Sequence, residues 1–375
     1  MLDQATVKFF RIALLRFFAK TRRDLPWRKN RDPYRVLVSE VMLQQTRTET
    51  VVPYFRRWMK RFPKLAELAA ADEQEVLRLW QGLGYYSRAR NLHTAVREIV
   101  NHLEGRIPDS PEALQALPGI GPYTAGAVAS IAFGVMVPAV DGNVRRVLAR
   151  VMDHPAPSPT VLREWARSLV DPVDPGNFNQ ALMELGSQIC TPRRPRCDCC
   201  PIGRLCRARR SGTQEKRPAP PARKLVPRVT EALAALMWEG KDCPKVLLRR
   251  RPRNGLLGGM WELPGAQVHK SETPVEIAKE IAVALINSPA GARERDSVGG
   301  ASASDGRIEP ALIGQEKPVD HAFTHRRVRY IPFRFLVPFK DDGPTWREDL
   351  RWVDSGEANL LPIPVAQSQV LSRIF

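Results

Sequence analysis

The sequence predicts an all-α N-terminal domain that carries a cysteine-rich loop, followed by a smaller α+β domain. Apolar residues recur at helical spacing along most of the first half of the chain. Five of the six cysteines then lie between Cys190 and Cys206. Beyond a segment rich in Pro, Lys and Arg, the periodicity changes to that of strands. The length of 375 residues fits two domains. The predicted boundaries are residues 1–211 for the helical domain, 212–228 for a linker and 229–375 for the second domain.

The composition indicates a polyanionic partner. The formal net charge is +18, and arginines occur in both halves, so the charge is not confined to a tail. No apolar run is long enough to cross a bilayer, and charged residues interrupt the N-terminal apolar positions where a secretory signal would be continuous. Clustered cysteines indicate a metal site in a reducing compartment, because a disulfide scaffold would spread them out. We expect a cytoplasmic monomer that binds nucleic acid and no membrane.

The first predicted helices contain one carboxylate in an apolar setting. Residues 1–22 have the pattern of an amphipathic helix, and Leu25 to Arg28 predicts an extended segment. Asp32 caps the next helix, in which Glu40 interrupts an otherwise apolar stretch. A carboxylate flanked by apolar side chains is partly desolvated, so we expect its pKa to be raised. The alternative is a surface glutamate on the polar side of the helix.

Two junctions follow. Thr46-Arg47-Thr48-Glu49 matches a capping box, which predicts that the next helix begins at its first residue. This leaves Gln44 and Gln45 at a helix–helix junction, where their amides can face a ligand. A further helix is predicted from Asp72 to Trp80, and Gly82 to Tyr86 predicts a turn with exposed apolar and aromatic side chains. Such a turn beside arginines suits a wedge between bases, although tyrosines that pack a helix connection would have the same pattern.

A helix–hairpin–helix is predicted at about residues 111–133. Ser110 caps a short helix that ends at Gly119, and Pro122 begins the next helix. Gly119 and Gly121 permit positive φ and an exposed backbone. The free N–H groups at such a helix N-terminus can bind a phosphate. A simple helix breaker is the alternative.

Asp141 lies about twenty residues beyond the hairpin, just before a predicted helix over 143–151. The helix dipole would hold a carboxylate at this position in its ionised form. Asp141 could equally be only an N-cap. Together, the hairpin and Asp141 predict a site that binds a nucleic-acid backbone beside a fixed negative charge.

The cysteine-rich loop spans residues 190–206. Its spacing is Cys190-x₆-Cys197-x₂-Cys200-x₅-Cys206, with Cys199 as an extra residue. Zinc modules usually show two Cys-x₂-Cys pairs or histidine ligands, whereas this loop has one pair and no nearby histidine. Four thiolates on a compact loop suit an iron–sulfur cluster, although the spacing alone leaves zinc open.

The second domain is predicted to be α+β. Strands are expected at 229–238, 246–250 and 330–337, and a helix is expected at 271–287. Residues 288–307 are rich in Gly, Ala, Ser and Asp and are predicted to form a mobile loop.

These residues together resemble the helix-hairpin-helix DNA glycosylases, specifically the MutY-type adenine DNA glycosylases. The resemblance is nearly continuous over residues 24–206. It is carried by residues 25–28, 39–46, 82–91, 117–126 and 140–144 and by the four-cysteine loop. The second domain resembles the Nudix-related recognition domain of that family, through residues 259–265 and 323–325.

The resemblance implies removal of adenine mispaired with 8-oxoguanine or guanine in double-stranded DNA. Glu40 matches the general acid that protonates adenine at N7, and Asp141 matches the carboxylate that stabilises the oxocarbenium-like sugar. Tyr123 and Asn143 match residues that position the carboxylates and water. The physical interpretation agrees, because one acid is expected to have a raised pKa while the other stays ionised.

The resemblance also implies the remaining ligand-binding residues. The adenine pocket would be lined by Arg28, Leu43 and Gln180. The gap left by the extruded base would be filled, and the oxidised guanine contacted, by Gln45, Thr46, Leu83 and Tyr85. The lesion would be read by Phe323, Thr324 and His325, with threonine where many relatives carry serine. A [4Fe–4S] cluster would be held by Cys190, Cys197, Cys200 and Cys206.

The nearest alternative is an endonuclease III-like glycosylase with AP lyase activity on oxidised pyrimidines. That mechanism needs a lysine nucleophile, and Tyr123 stands at the position of the family's lysine. The sequence therefore favours a monofunctional enzyme.

A pyrophosphatase and a non-catalytic DNA-binding protein fit the residues less well. A Nudix pyrophosphatase needs a glutamate cluster on one helix for Mg²⁺, and the helix after Gly265 offers only Glu272, Glu276 and Glu280. A DNA-binding protein without catalysis would be expected to lack one of the two carboxylates.

Overall fold

The structure is a computed structural model that describes residues 2–220, 225–239, 243–287, 308–338 and 348–375. The chain forms two compact units that do not follow chain order. The first unit comprises Met1–Ala71 and Arg88–Arg223, and the second comprises Asp72–Ser87 and Lys224–Phe375. The predicted loop at 288–307 and part of the predicted linker lie outside the described residues.

Helices occupy most of the chain before the cysteine-rich loop, and one short helix follows directly after it. They are α1 (Gln4–Thr21), α2 (Pro33–Leu43), α3 (Thr48–Arg61), α4 (Leu65–Ala70), α5 (Glu73–Trp80), α6 (Ser87–His102), α7 (Pro111–Ala116), α8 (Pro122–Phe133), α9 (Gly142–Val151), α10 (Pro159–Leu169), α11 (Pro175–Gln188) and α12 (Arg207–Arg210). Short 3₁₀ turns lie at Pro26–Arg28, Cys197–Cys199, Gly203–Leu205 and Gln214–Lys216. No helix of the described residues is both long and apolar enough for a bilayer span.

One core of the first unit forms where α1 packs against α9, α10 and α11. Phe10, Leu14 and Phe18 recur at the helical spacing that the sequence predicts and are buried in this core. The Asp3 side chain begins α1 by accepting a hydrogen bond from the Thr6 N–H at 2.8 Å. The predicted N-terminal amphipathic helix is therefore confirmed.

Close backbone packing brings α2, α8 and α11 together. Residues Thr124 to Ile131 of α8 are buried, and most of them are small. A Cβ on Gly126 would lie 2.3 Å from the Pro138 carbonyl oxygen, and one on Gly176 would lie 2.6 Å from the Ser130 oxygen. Only glycine permits these approaches without movement of backbone.

Two local predictions are wrong. Residue 48, not 46, begins α3, and its N-cap Arg47 makes no side-chain cap bond. The Thr46 hydroxyl donates instead to the Gln44 carbonyl at 3.3 Å and accepts from Arg88 at 3.1 Å, so it is not available as a cap. The segment predicted to be extended contains the 3₁₀ turn Pro26–Arg28. In that turn, the backbone N–H of residue 28 donates to the Leu25 carbonyl at 2.9 Å.

The second unit contains a mixed sheet with helices on both faces. Its strands are β1 (Arg228–Trp238), β2 (Lys245–Arg250), β3 (Trp261–Glu262), β4 (Gly265–Gln267), β5 (Ala311–Gln315), β6 (Val319–Ala322), β7 (Arg327–Leu336) and β8 (Leu350–Val353). Its C-terminal helices are α13 (Pro274–Asn287), α14 (Ser355–Leu360) and α15 (Val365–Ile374). The predicted α+β organisation is therefore confirmed.

The sheet has the strand order β3-β2-β1-β7-β5, while β4 pairs with β1, β6 with β7 and β8 with β2. The central strands β1 and β7 are parallel, with Leu233 opposite Pro332. Alternate residues of β1 point to opposite faces. Leu233 joins a core with α15, and Leu236 joins one with α13.

Candidate active site

A cavity of about 1310 Å³ lies within the first unit. It is lined by eleven of the residues predicted for the site: Arg28, Glu40, Leu43, Gln45, Thr46, Gly119, Gly121, Tyr123, Asp141, Asn143 and Gln180. The other predicted residues lie elsewhere. The four cysteines form a separate loop of this unit, and Leu83, Tyr85 and residues 323–325 belong to the second unit.

Glu40 is a buried acid that faces this cavity. It lies on α2 with 5 % of its surface exposed, which excludes the surface-glutamate alternative. The Tyr123 hydroxyl donates a hydrogen bond to its Oε2 at 2.5 Å. Burial raises the pKa of Glu40 to about 7; the Tyr123 hydrogen bond opposes the rise, the Asp141 charge adds to it and the Arg28 charge opposes it. Near neutral pH, the carboxyl group can therefore hold a proton and release it.

Tyr123 remains a hydrogen-bond donor throughout the physiological pH range. It is the second residue of α8, directly after the hairpin. Burial raises the pKa of its hydroxyl well above the usual range, and the charges of Glu40 and Asp141 raise it further. The hydroxyl oxygen also lies 3.5 Å from the Met183 sulfur. Tyr123 is thus held between α2 and α11 with its proton directed to Glu40.

Asp141 is both a helix cap and a cavity residue. Its carboxylate accepts the Val144 N–H of α9 at 2.7 Å and the Asn143 amide at 2.8 Å. Burial raises its pKa, whereas these two hydrogen bonds and the Arg146 charge lower it. The sequence predicts a carboxylate held ionised by the helix dipole. The net shift of the Asp141 pKa is upward because burial outweighs the hydrogen bonds and the Arg146 charge, which favour the ionised form.

Arg146, which the sequence pattern did not single out, fixes the Asn143 amide. It donates to the Asn143 oxygen at 2.9 Å, to the Gly186 carbonyl at 2.8 Å and to the Cys190 carbonyl at 2.8 Å. Because the Asn143 oxygen is engaged, its NH₂ group faces Asp141. Position 146 is one turn beyond Asn143 on α9, and that helical spacing is the only sequence feature that could have indicated it.

Glu184 was also missed, and it anchors the predicted adenine-pocket arginine. Its side chain is 1 % exposed and accepts from Arg28 at 2.9 Å and Arg23 at 2.7 Å. Burial opposes ionisation, but the hydrogen bonds and charges of the two arginines lower the pKa of Glu184 overall. Arg28 also donates to the Gln180 oxygen at 3.0 Å. Arg28 and Gln180 therefore hold each other in one orientation at the cavity wall.

The helix–hairpin–helix forms as predicted, from α7 through α8. Gly119 has a φ of +75°, and a Cβ there would lie 2.5 Å from the Asn91 Cβ. Gly121 instead has an ordinary φ of −85°, so of these two glycines only Gly119 uses the freedom to adopt a positive φ. Gly121 caps α8 without a side-chain cap bond, which leaves the first N–H groups of α8 available to an anion.

Backbone and side-chain hydrogen bonds stabilise the cysteine loop. The Cys200 N–H donates to the Cys197 carbonyl at 3.3 Å, and the buried Arg150 donates to the Cys190 sulfur at 3.2 Å. Burial, and then the thiols of Cys190, Cys206 and Cys197, raise the pKa of Cys200 to about 12. Among the described residues, no three His, Cys, Asp or Glu side chains are arranged to hold a metal ion.

The glycine-aromatic turn differs from its prediction. Tyr85 is 37 % exposed, but Leu83 is only 5 % exposed because it folds inward. Tyr85 has a φ of +48°. The Trp80 indole N–H donates to the Gly84 carbonyl at 3.0 Å, which fixes the turn to the end of α5.

Residues 323–325 lie in the connection between β6 and β7. The Phe323 N–H donates to the Arg326 carbonyl at 2.8 Å, and the Phe323 ring lies 4.6 Å from the His321 ring. Thr324 and His325 are exposed. The loop is therefore stabilised through Phe323 and presents its hydroxyl and imidazole outward.

Comparisons with known proteins cover both halves of the chain. The profile of the HhH-GPD superfamily base excision DNA repair proteins matches residues 38–172, and that of the NUDIX domain matches 233–373. The human protein named adenine DNA glycosylase is 42 % identical over 428 residues, spanning 100 % of this chain and 75 % of the human protein. The mouse protein of that name is 42 % identical over 323 residues, spanning 72 % of this chain and 63 % of the mouse protein.

A solved structure of a thermostable thymine-DNA glycosylase is 31 % identical, with a TM-score of 0.52. The match covers 55 % of this chain and 98 % of the chain in that structure. An endonuclease III structure trapped on DNA is 23 % identical with a TM-score of 0.50, which shows the fold alone.

Proposed function

Because its similarity to a named relative extends over its full length, the chain belongs to the adenine DNA glycosylase family, and we propose that it removes adenine mispaired with 8-oxoguanine or guanine from double-stranded DNA. As a family member, it is a hydrolase that acts on N-glycosyl bonds in base excision repair, with a helix-hairpin-helix glycosylase domain and a Nudix-like domain. The observation that carries the substrate proposal is the placement of Glu40, Tyr123 and Asp141 in one cavity.

The two acids would divide the chemistry. An extruded adenine enters the cavity, at a flipping cost of a few kcal/mol that is lower at a mispair. Protonated Glu40 donates its proton to adenine N7, so the electrons of the C1′–N9 bond leave with a neutral base. Ionised Asp141 stabilises the positive charge on the sugar until water adds at C1′, and the Glu40 carboxylate left by the first step accepts the proton that this water releases. Asn143 holds Asp141 in place, and Tyr123 holds Glu40.

The wall of the cavity would recognise the base. Arg28 uses three donors on Gln180, Glu184 and the Arg23 carbonyl, which leaves two of its five N–H groups for adenine acceptors. Leu43 lines the same cavity and supplies apolar contact. A fixed guanidinium beside a fixed amide suits a planar base with both donors and acceptors.

Three further groups of residues would contact the DNA. The mispaired guanine would meet Gln45 and Thr46 at the end of α2, with Leu83 and Tyr85 from the turn. The oxidised base would be read by Phe323, Thr324 and His325. The N–H groups after Gly119 and Gly121 would bind a backbone phosphate.

The cavity composition supports a monofunctional enzyme. The described residues that line it include no lysine, and Tyr123 occupies the position from which the lyase alternative would draw its nucleophile. All the proposed catalytic groups line one cavity, and we propose that the protein acts as a monomer. The reducing conditions that clustered thiols need support a cytoplasmic location.

A single-turnover assay tests the substrate. Duplex with adenine opposite 8-oxoguanine should lose adenine at least about tenfold faster than a matched duplex loses an oxidised pyrimidine, because the general acid requires a basic N7. The released base is measured by chromatography. Preferential release of the oxidised pyrimidine, with strand cleavage, would instead establish the lyase alternative.

We also propose that Cys190, Cys197, Cys200 and Cys206 hold a [4Fe–4S] cluster. The support is the ligand chemistry: four cysteines lie on one loop of residues 190–206, and four thiolates on a compact loop suit an iron–sulfur cluster. When bound, the cluster would supply a rigid anchor for the loop. Arg150 would hold Cys190 in place, and the loop's arginines would face DNA.

Metal analysis tests the cluster. Protein prepared without oxygen should be brown and contain about four iron atoms per chain. Cys200→Ser should lose the iron, whereas Cys199→Ser, which changes the exposed extra cysteine, should keep it. Stoichiometric zinc in place of iron would contradict the proposal.

A further inference from the structure

The turn from Gly82 to Tyr86 belongs to the same compact unit as the loop of residues 323–325. Under the proposed function, on which this inference rests, the turn enters the gap left by adenine while the loop reads the oxidised base. Both parts therefore act on one mispair from one unit. The contacts of α5, which leads into the turn, show how the turn is attached to the Nudix-like domain.

Gln74 joins α5 to the Nudix-like domain through both ends of its amide. Its Nε2 donates to the Gly259 carbonyl at 3.0 Å, and its Oε1 accepts from the Trp261 indole N–H at 2.9 Å. Trp261 is 7 % exposed and lies on β3. Because donor and acceptor are both engaged, the amide has one favoured orientation and α5 has one register against the sheet.

Close packing supports this contact. Gly259 has a φ of +76°, and a Cβ there would lie 3.4 Å from the Glu73 Oε1 and 3.5 Å from the Leu77 Cδ1. Arg253 donates to both Glu73 oxygens, at 2.6 and 3.3 Å, although this arginine is exposed and the pair adds little stability. The partly buried Gln74 contacts are therefore the specific attachment.

The segment from Gly82 to Tyr86 is itself fixed to the end of α5. The Trp80 indole donates to the Gly84 carbonyl at 3.0 Å, and the Leu83 N–H donates to the Trp80 carbonyl at 3.0 Å. The Gly82 N–H donates to the Tyr86 hydroxyl at 3.0 Å. A continuous set of hydrogen bonds thus runs from β3 through Gln74 and α5 to the turn.

We infer that Gln74 is a positioning residue that sets the DNA-inserting turn relative to the lesion-reading domain and thereby contributes to the preference for 8-oxoguanine over guanine. With α5 held, insertion of the turn and engagement of the loop are coupled, so 8-oxoguanine bound by the loop favours insertion, whereas guanine gains no such help. With α5 released, the turn inserts independently of the loop, and the advantage of the 8-oxoguanine mispair is lost.

Two variants remove the attachment. Gln74→Leu removes both hydrogen bonds with little change of side-chain volume, and Trp261→Phe removes the N–H donor together with part of the indole ring. Asn287→Leu is the matched control, because this amide of the same unit donates to the Val283 and Ile308 carbonyls at 2.9 and 3.0 Å, away from α5. Each full-length protein, with its metal, is assayed for kcat/KM on adenine opposite 8-oxoguanine and opposite guanine.

The ratio of the two kcat/KM values is the informative quantity. Gln74→Leu, which removes two hydrogen bonds, should lower the ratio about tenfold, and Trp261→Phe, which removes one, should lower it about threefold. In both variants, kcat/KM on adenine opposite guanine should stay within about twofold of the wild-type value. Asn287→Leu should keep the wild-type ratio. A merely structural role would lower both rates together and leave the ratio unchanged.

Three outcomes would overturn the inference. The ratio could stay within twofold of wild type in both variants, both rates could fall by the same factor, or Asn287→Leu could lower the ratio as strongly as Gln74→Leu. In each of these cases the wild-type protein still excises adenine, so the proposed function stands. A wild-type protein that excises adenine from neither duplex would overturn the proposed function and the inference together.

Discussion

Glu40→Gln should lower the single-turnover rate of adenine release about 10³-fold, since a positioned general acid contributes about 10² to 10⁴. The glutamine keeps the shape of the side chain and can still accept the Tyr123 hydrogen bond, but it has no proton to give to adenine N7. The buried acid is replaced by a neutral group, so no charge is left unpaired. The variant should therefore remain folded and bind the mispaired duplex with an affinity close to that of wild type.

The control for this prediction is Glu164→Gln, the same charge change on an exposed position of α10. It should release adenine at the wild-type rate. Thermal melting and duplex binding are measured for both variants beside the rate. A Glu40→Gln protein that releases adenine within about tenfold of wild type would remove Glu40 from the acid role.

Much of the site is predictable because local chemistry determines it. Asp32, Ser110 and Asp141 each lie before a helix and cap it as expected. The raised pKa of Glu40 is predictable because Val38, Val41 and Met42 flank it in the sequence. Gly119 has the positive φ that a tight hairpin requires.

The errors arise where tertiary contacts override local patterns. Thr46 matches a capping box, but Arg88, forty-two residues away, binds its hydroxyl. Leu83 lies in a turn of the kind that exposes side chains, yet it folds inward. Thr46 in particular is engaged by a partner that its own segment does not contain.

The supporting residues could not be predicted from the sequence for a similar reason. Glu184 binds Arg28 and Arg23 across more than 150 residues of chain, and nothing near it on α11 indicates either partner. The attachment of α5 to the second unit through Gln74 crosses 187 positions to Trp261. Linear order placed α5 in the helical domain, whereas its contacts place it in the second unit.

In the proposed mechanism, a buried acid with a raised pKa donates a proton to adenine while a second acid stays ionised. The pKa of Glu40 is raised to about 7, chiefly by burial, so its active, protonated form predominates below that pH and is lost above it. Asp141 acts as the anion, so its contribution is lost as the pH falls through its own raised pKa. The two requirements predict a rate that falls on both sides of a maximum.

The most direct test is the pH dependence of the single-turnover rate of adenine release from duplex with adenine opposite 8-oxoguanine. We expect that, above pH about 7, the rate falls about tenfold for each pH unit, and so by about 10² at pH 9. DNA binding measured at each pH separates this loss from weaker association. A rate that stays constant or rises from pH about 6 to 9 would contradict proton donation by Glu40.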